Sequence, residues 1–158
     1  MGGIVRTEKD GALGFLIFDH PARRNAISAE MWRQIPGAVE ALAKDDDVRV
    51  VIFRGEGDSA FVSGADISEF ESRRSGGAAS AEYDRLGTDA FRALVGCDKP
   101  TLAMIHGFCV GGGVALALCA DLRFASDDAR FAVPAGRLMD FIAALTACRT
   151  SPTRLASA

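Results

Sequence analysis

The segment DKPTLAMIHGFCVGGGVALAL, residues 98–118, places three consecutive glycines inside an apolar run. The five residues TLAMI, 101–105, predict a buried strand, and VALALCA, 114–120, predicts a helix directly after the glycines. A glycine inside a helix or strand costs about 0.5–1 kcal/mol relative to alanine. Three in a row therefore indicate one of two things. Either the main chain packs too closely there for any side chain, or a bare main chain is needed at the start of the helix.

Strand and helix signals alternate on the N-terminal side of this segment. Lys9-Asp10-Gly11 separates two apolar runs and predicts a hairpin, because Asp-Gly is a strong turn signal. Ser28 predicts the N-cap of a helix with regularly spaced apolar residues, in which Pro36 is expected to produce a kink or a break. VRVVIF, 48–53, predicts a second buried strand, followed by the glycine-containing loop RGEGDSAFVSGAD, 54–66.

The remaining segments extend the same alternation. Apolar residues at helical spacing predict a helix with one face formed by Tyr83, Leu86, Ala90, Leu94 and Cys97. DLRFAS, 121–126, and ARFAVP, 129–134, predict two further strands. Strands that alternate with helices in this way predict an α/β fold with partly parallel strands.

Two of the predicted loops contain glycine and lead from the carboxyl end of a strand into a helix. Ligands bind at such places in open α/β sheets, and helix N-termini offer free N–H groups there. If the two loops meet, two N–H groups could point at a single oxygen and form an oxyanion hole. The alternative is tight helix–strand packing with no ligand, and the residues alone leave both interpretations open.

Composition and charge exclude several classes of function. The net charge is −3, from 18 basic and 21 acidic residues, and this argues against a nucleic-acid surface. The four cysteines form no C-x-x-C pair and only two histidines are present, so we expect no metal site and a reducing, cytoplasmic location. Residues 101–120 carry no charge over a bilayer-length run. Their central glycines and the surrounding strand and helix signals argue against a membrane span.

Four motifs, in their order and spacing, resemble the enoyl-CoA hydratase/isomerase family, also called the crotonase family. They are HPARRNAIS (20–28), AFVSGADISEF (60–70), DKPTLAMIHGFCVGGGVALAL (98–118) and ARFAVP (129–134). The resemblance covers residues 1–137 and implies an α/β fold, a spiral of β-β-α units. It also implies an acyl-CoA thioester substrate, with coenzyme A as part of the substrate and no separate cofactor, and a homo-oligomer, either a trimer or a hexamer.

The resemblance also assigns roles to individual residues. The main-chain N–H groups of Ala65 and Gly112 would hold the thioester oxygen as it gains enolate character. The residues expected to bind the substrate and its coenzyme A are Arg24, Ala26, Ser63, Ala65, Asp66, Ile67, Gly111 and Gly112.

The sequence departs from the family pattern at the two acid–base positions. Family hydratases use two glutamates, and Ala115 and Ala135 stand at those positions here. Alanine cannot carry a proton, so an isomerase, a thioesterase or another non-hydratase activity fits better than hydration. The alternatives are a non-catalytic binder of CoA thioesters or an inactive truncated fragment. Candidates to replace the glutamates, each with a structural explanation as well, are Asp66, His106, Cys109, Asp121 and Asp140.

The C-terminal part is expected to differ from the family. We predict a boundary at residue 137, with a divergent short helix and a tail over 138–158. Relative to the family, the chain is interpreted as truncated. A truncated core is expected to expose apolar surface.

Overall fold

The computed structural model describes residues 2–66 and 77–133, with main-chain structure only for residues 77–80. Its helices are α1 (Ala29–Lys44), α2 (Gly77–Val95) and α3 (Gly112–Cys119), and a single 3-10 turn covers Pro21–Arg23. The strands of this part of the chain are β1 (Ile4–Asp10), β2 (Leu13–Asp19), β3 (Val50–Gly55), β4 (Ala60–Val62), β5 (Thr101–Ile105), β6 (Phe108–Val110), β7 (Leu122–Ala125) and β8 (Arg130–Ala132).

The strands form two sheets. The large sheet has the order β1-β2-β3-β5-β7, in which β1 and β2 pair antiparallel as the predicted hairpin and the other pairs are parallel. The small sheet has the order β4-β6-β8 and is parallel. From β3 onward, the strands alternate between the two sheets: β3, β5 and β7 belong to the large sheet, and β4, β6 and β8 to the small sheet. The units β1-β2-α1, β3-β4-α2 and β5-β6-α3 follow one another, which confirms the predicted spiral of β-β-α units.

The sequence patterns missed β4 and β6, which were assigned to glycine-containing loops. Each has three residues, which is too short for an alternating pattern to be recognised. The predicted strand 48–53 is found at Val50–Gly55, and α2 ends at Val95, so Cys97 lies beyond it. The predicted boundary at residue 137 lies outside the described residues and stays a prediction.

Helix α1 begins where its capping signal predicts. The Ser28 side chain is the N-cap, and its Oγ accepts a hydrogen bond of 3.2 Å from the Met31 N–H. The helix continues through Pro36, so the predicted break does not occur. Pro36 leaves the carbonyl four residues earlier without a helical donor, at a typical cost of about 3 kcal/mol. The continuous buried stripe on either side, which includes Ile35 and Val39, offsets that cost by packing into the core.

The two faces of the large sheet differ. Helix α1 packs against β1, β2 and α2, and the β5 residues Thr101, Ala103 and Ile105 are buried. The opposite face is apolar and exposed at its β5–β7 end, where Met104 and Phe124 pair in register and are 43% and 61% exposed. At the β1–β3 end, ion pairs of Arg6 and Arg54 with Glu8 and Glu56 cover the corresponding face.

The uncharged run 101–120 is divided among β5, β6 and α3. Within the part of the chain that the structure describes, no helix has both the length and the apolar character needed to cross a bilayer.

Candidate functional site

Two of the three consecutive glycines are required by the local main-chain geometry. Gly111 is the N-cap of α3 and has φ +51° and ψ −112°, a conformation that side-chain-bearing residues rarely adopt. Gly113 packs directly on β4: a Cβ at this position would lie 2.1 Å from the Val62 carbonyl oxygen. The tight-packing explanation holds for Gly113, whereas at Gly111 the main-chain conformation requires glycine.

Gly112 is different, because neither its conformation nor its packing demands a glycine. A Cβ at this position would have Trp32 Cζ2 at 3.8 Å and the Ala65 nitrogen at 4.0 Å as its nearest neighbours, which are ordinary contacts. Gly112 is the first residue of α3, where the N–H has no acceptor within the helix. Within residues 2–66 and 77–133, neither the Gly112 N–H nor the Ala65 N–H donates a hydrogen bond. We call the space between these two N–H groups the two-amide site.

The loop before α1 positions Ala65. Ile27 and Ala65 form an isolated parallel bridge, in which the Ile27 N–H donates to the Gly64 carbonyl at 2.8 Å. The Asp66 N–H then donates back to the Ile27 carbonyl at 3.0 Å. Because these bonds use the groups on either side of Ala65, the Ala65 N–H points away from the Ile27 strand. The Ala65 nitrogen lies 4.0 Å from the Cβ position of Gly112.

Asn25 fixes this loop, and the sequence analysis missed it. It is fully buried with φ +56°, and its Oδ1 accepts a 2.9 Å hydrogen bond from the His20 N–H. Its Nδ2 donates to the Glu56 carbonyl at 2.9 Å and to the Ala60 carbonyl at 2.8 Å. One side chain thus ties the loop to both ends of the β3–β4 connection. The available signal was the asparagine directly before the capping segment, since asparagine tolerates left-handed main-chain conformations.

The other predicted binding residues lie around the same loop. Arg24 is exposed, and its guanidinium lies 4.6 Å from the Phe108 ring centroid. The Ser63 N–H donates to the Arg24 carbonyl at 3.1 Å, so the two predicted binding segments, 24–26 and 63–66, are adjacent. Ala26 is buried, and its carbonyl lies 3.1 Å from His20 Nδ1. Ile67 lies outside the described residues.

Two of the candidates to replace the missing glutamates, Cys109 and Asp121, have structural explanations. Ala115 is buried one turn after Gly112. Burial raises the pKa of the Cys109 thiol to about 12, which makes it a poor nucleophile. Asp121 accepts hydrogen bonds from the Thr101 N–H and Oγ1 at 2.9 and 2.8 Å, a structural role. Ala135 and Asp140 lie outside the described residues.

Two further candidates remain from the sequence analysis. Asp66 is 7% exposed and lies 3.8 Å from Arg23 Nη1. His106 has a buried Nε2 without a hydrogen-bond partner in the described part of the chain, and its carbonyl accepts from the Phe61 N–H at 2.8 Å. In the described ranges, no group of three His, Cys, Asp or Glu side chains is arranged to hold a metal ion.

A cleft of ≈ 540 Å³ opens at the β1–β2 turn and contains none of the predicted site residues. Lys9 in this cleft pairs with Asp45 at 2.9 Å and with Asp47 at 3.1 Å. Ion pairs at such an open surface typically contribute only about 0–1 kcal/mol.

Known proteins with the same fold share this arrangement of elements. The family model described as enoyl-CoA hydratase/isomerase matches residues 8–157. A crotonyl-CoA hydratase of Syntrophomonas wolfei is 36% identical over 127 residues, which are 80% of this chain and 48% of that protein. A peroxisomal Delta(3,5)-Delta(2,4)-dienoyl-CoA isomerase of Arabidopsis thaliana is 32% identical over 140 residues, covering 82% of this chain and 50% of that protein.

Solved structures agree with the sequence relatives. The crystal structure of an enoyl-CoA hydratase/carnithine racemase from Magnetospirillum magneticum superposes with a TM-score of 0.83 at 33% identity. The match covers 91% of this chain and 56% of that one. The chain thus spans about half the length of the curated relatives it matches. With the family model matching nearly its whole length, the chain belongs to the enoyl-CoA hydratase/isomerase family.

Proposed function

We propose that the chain binds an acyl-CoA thioester at the two-amide site and stabilises the enolate form of its carbonyl. One observation carries the proposal: no close contact requires a glycine at position 112, and the space left by the missing side chain lies beside the Ala65 nitrogen. Both N–H groups lack acceptors among the described residues, so a carbonyl oxygen would satisfy them. The names of the relatives, a crotonyl-CoA hydratase and a dienoyl-CoA isomerase, support a CoA thioester as the ligand.

Two N–H donors at one carbonyl oxygen would match the negative charge that develops on it. The N-terminus of α3 adds a partial positive charge at Gly112, which favours negative charge on the bound oxygen. Loss of one donor of this kind typically costs about 2.7–4 kcal/mol in the reaction barrier. The site is therefore suited to reactions that pass through an enolate or a related oxyanion.

Hydration is not the reaction that we favour. The glutamate position one turn after Gly112 is occupied by Ala115, and general acid–base assistance is typically worth 10²–10⁴-fold in rate. We propose isomerase or thioesterase activity first. Because Ala115 cannot carry a proton, the second candidate is a protein that binds CoA thioesters without turning them over. A homo-trimer or hexamer remains part of the proposal, supported by exposed apolar side chains such as Leu122 and Phe124.

Substitution of Gly112 by alanine tests the proposal. The new methyl group fits the fold without a close contact but occupies the space between the two N–H groups. We expect Gly112→Ala to weaken butyryl-CoA binding at least tenfold in titration calorimetry, with the unfolding midpoint in urea unchanged. Consumption of crotonyl-CoA, followed by its enone absorbance, separates turnover from binding alone.

Gly37→Ala is the matched control, because a Cβ at this position in α1 meets nothing within 4 Å. Equal butyryl-CoA affinity in the two alanine variants would overturn the assignment of the site. A wild-type protein that binds neither butyryl-CoA nor crotonyl-CoA would overturn the proposed function itself.

A further inference from the structure

Trp32 lies against the two-amide site from the side of α1. Its Cζ2 is 3.8 Å from the Cβ position of Gly112, and that same point is 4.0 Å from the Ala65 nitrogen. The open space over Gly112 is therefore bordered by an indole edge and by a main-chain amide. No family motif in the sequence pointed to this residue.

The indole is held in place from α2. Its Nε1 donates a 2.8 Å hydrogen bond to the Tyr83 hydroxyl, and its ring packs edge-on against Phe91 with ring centroids 5.3 Å apart. Trp32 is only 4% exposed. Rotation of the side chain would break the hydrogen bond and the ring contact together, so the indole is a rigid wall.

The geometry points to Trp32 as the residue that selects the acyl group next to the thioester carbonyl. This inference rests on the proposed function. In the proposed complex, the acyl carbon next to the bound carbonyl lies beside the indole edge. The Cβ position of Gly112 already has the indole at ordinary contact distance, so a methyl branch on that acyl carbon must push against a wall that is held in place. The favoured substrate class is therefore CoA thioesters with acyl groups that are unbranched next to the carbonyl.

A pair of isomeric ligands tests the inference. Butyryl-CoA and isobutyryl-CoA contain the same atoms and differ in the branch beside the carbonyl. We expect the wild type to bind butyryl-CoA about tenfold more tightly in titration calorimetry, the size typical of one misplaced methyl group in an apolar pocket. In Trp32→Phe, which removes the part of the ring that carries Cζ2, the affinity ratio is expected to fall toward 1, with free CoA binding unchanged.

Tyr83→Phe is the control for the lost hydrogen bond, because it removes the acceptor of the indole N–H, together with the 3.5 Å bond from the Tyr83 hydroxyl to the Ile27 carbonyl, and leaves the indole itself. We expect it to keep most of the preference for butyryl-CoA. Trp32→Leu gives a second, smaller side chain and is expected to reduce the ratio as Trp32→Phe does. Circular dichroism confirms that each variant is folded before its affinities are compared.

The fluorescence of the single tryptophan gives a second readout. Butyryl-CoA is expected to shift the wild-type emission, whereas free CoA is expected to leave it unchanged. Acyl-CoA binding with no preference between the isomers, or a preference that survives both Trp32 substitutions, would overturn this inference and leave the proposed function intact. Absence of any acyl-CoA binding by the wild type would overturn both.

Discussion

The two segments that meet at the two-amide site are held in opposite ways. Ala65 is positioned by polar interactions: its neighbours bridge to Ile27, and Asn25 ties the adjoining loop to the β3–β4 connection through two hydrogen bonds and to His20 through a third. Gly112 is positioned by the absence of side chains, since its neighbours allow a left-handed turn and close contact with β4. Removal of side-chain atoms is therefore expected to destabilise the first segment, and addition of side-chain atoms is expected to destabilise the second.

The largest effect on stability is expected where a methyl group is added at the helix–strand contact. In Gly113→Ala the new Cβ would lie 2.1 Å from the Val62 carbonyl oxygen and 3.0 Å from its carbon, so α3 must move away from β4. We expect the free energy of unfolding to fall by about 3 kcal/mol, at the upper end for overpacking. Urea denaturation measures the change, with Gly37→Ala as the matched substitution. Equal stability of the two variants would mean that the contact between α3 and β4 is looser than described.

Removal of the Asn25 side chain tests the other segment. Asn25→Ala leaves the His20 N–H and the Glu56 and Ala60 carbonyls without their partner and places alanine at a positive φ. We expect a loss of about 2–3 kcal/mol in the free energy of unfolding, because buried polar groups without partners cost about 1–3 kcal/mol.

Ser63→Ala is the control for Asn25, since it removes one exposed hydrogen bond of 3.1 Å to the Arg23 carbonyl from the same region. Its effect is expected to stay within about 0.5 kcal/mol. If Asn25→Ala is no worse than this control in urea denaturation, the loop does not depend on the buried amide.

The smallest effect on stability is expected from the ionisation of Cys109 in β6, the strand that leads into the glycines. Burial raises the pKa of Cys109 from its ordinary value of 9.0 to about 12. Between these values the unfolded chain loses a proton that the folded chain keeps, so the free energy of unfolding falls as the pH rises. The full contribution is present below pH 9, and the slope above it is about 1.4 kcal/mol per pH unit.

Urea denaturation at pH 8, 9 and 10 measures this slope, and Cys109→Ala isolates it because the other titrating groups are common to both proteins. The variant is expected to lose less stability than the wild type between pH 9 and pH 10. Parallel profiles would show that the thiol reaches solvent and that the strand before the glycines is not firmly packed.

The large sheet and the helices could be predicted because their signals are local. The Asp-Gly turn, the Ser28 cap and the β-branched strand near residue 50 each appear within a few residues. Of the small sheet only β8 was predicted, since β4 and β6 exist through pairing with each other across about 47 residues of sequence and have no pattern of their own.

The site was predictable in part, and for a similar reason. The three consecutive glycines pointed to Gly112. Sequence alone did not show that Gly112 is the one of the three that neither main-chain conformation nor packing requires. That distinction depends on where the Val62 carbonyl and the Ala65 nitrogen lie in space. The role of Asn25 and the position of Trp32 against Gly112 likewise depend on contacts between distant segments.

The strand order of the large sheet has a consequence for how this architecture can be enlarged. The antiparallel β1–β2 hairpin lies at one border, and each later unit is added at the other side, so the described sheet ends on β7. A parallel border strand presents unpaired main-chain N–H and C=O groups, through which it can accept another strand with the same direction. Successive units are therefore added in one direction. A further unit, gained by duplication or fusion, would be accommodated at the β7 border without disturbing the two-amide site.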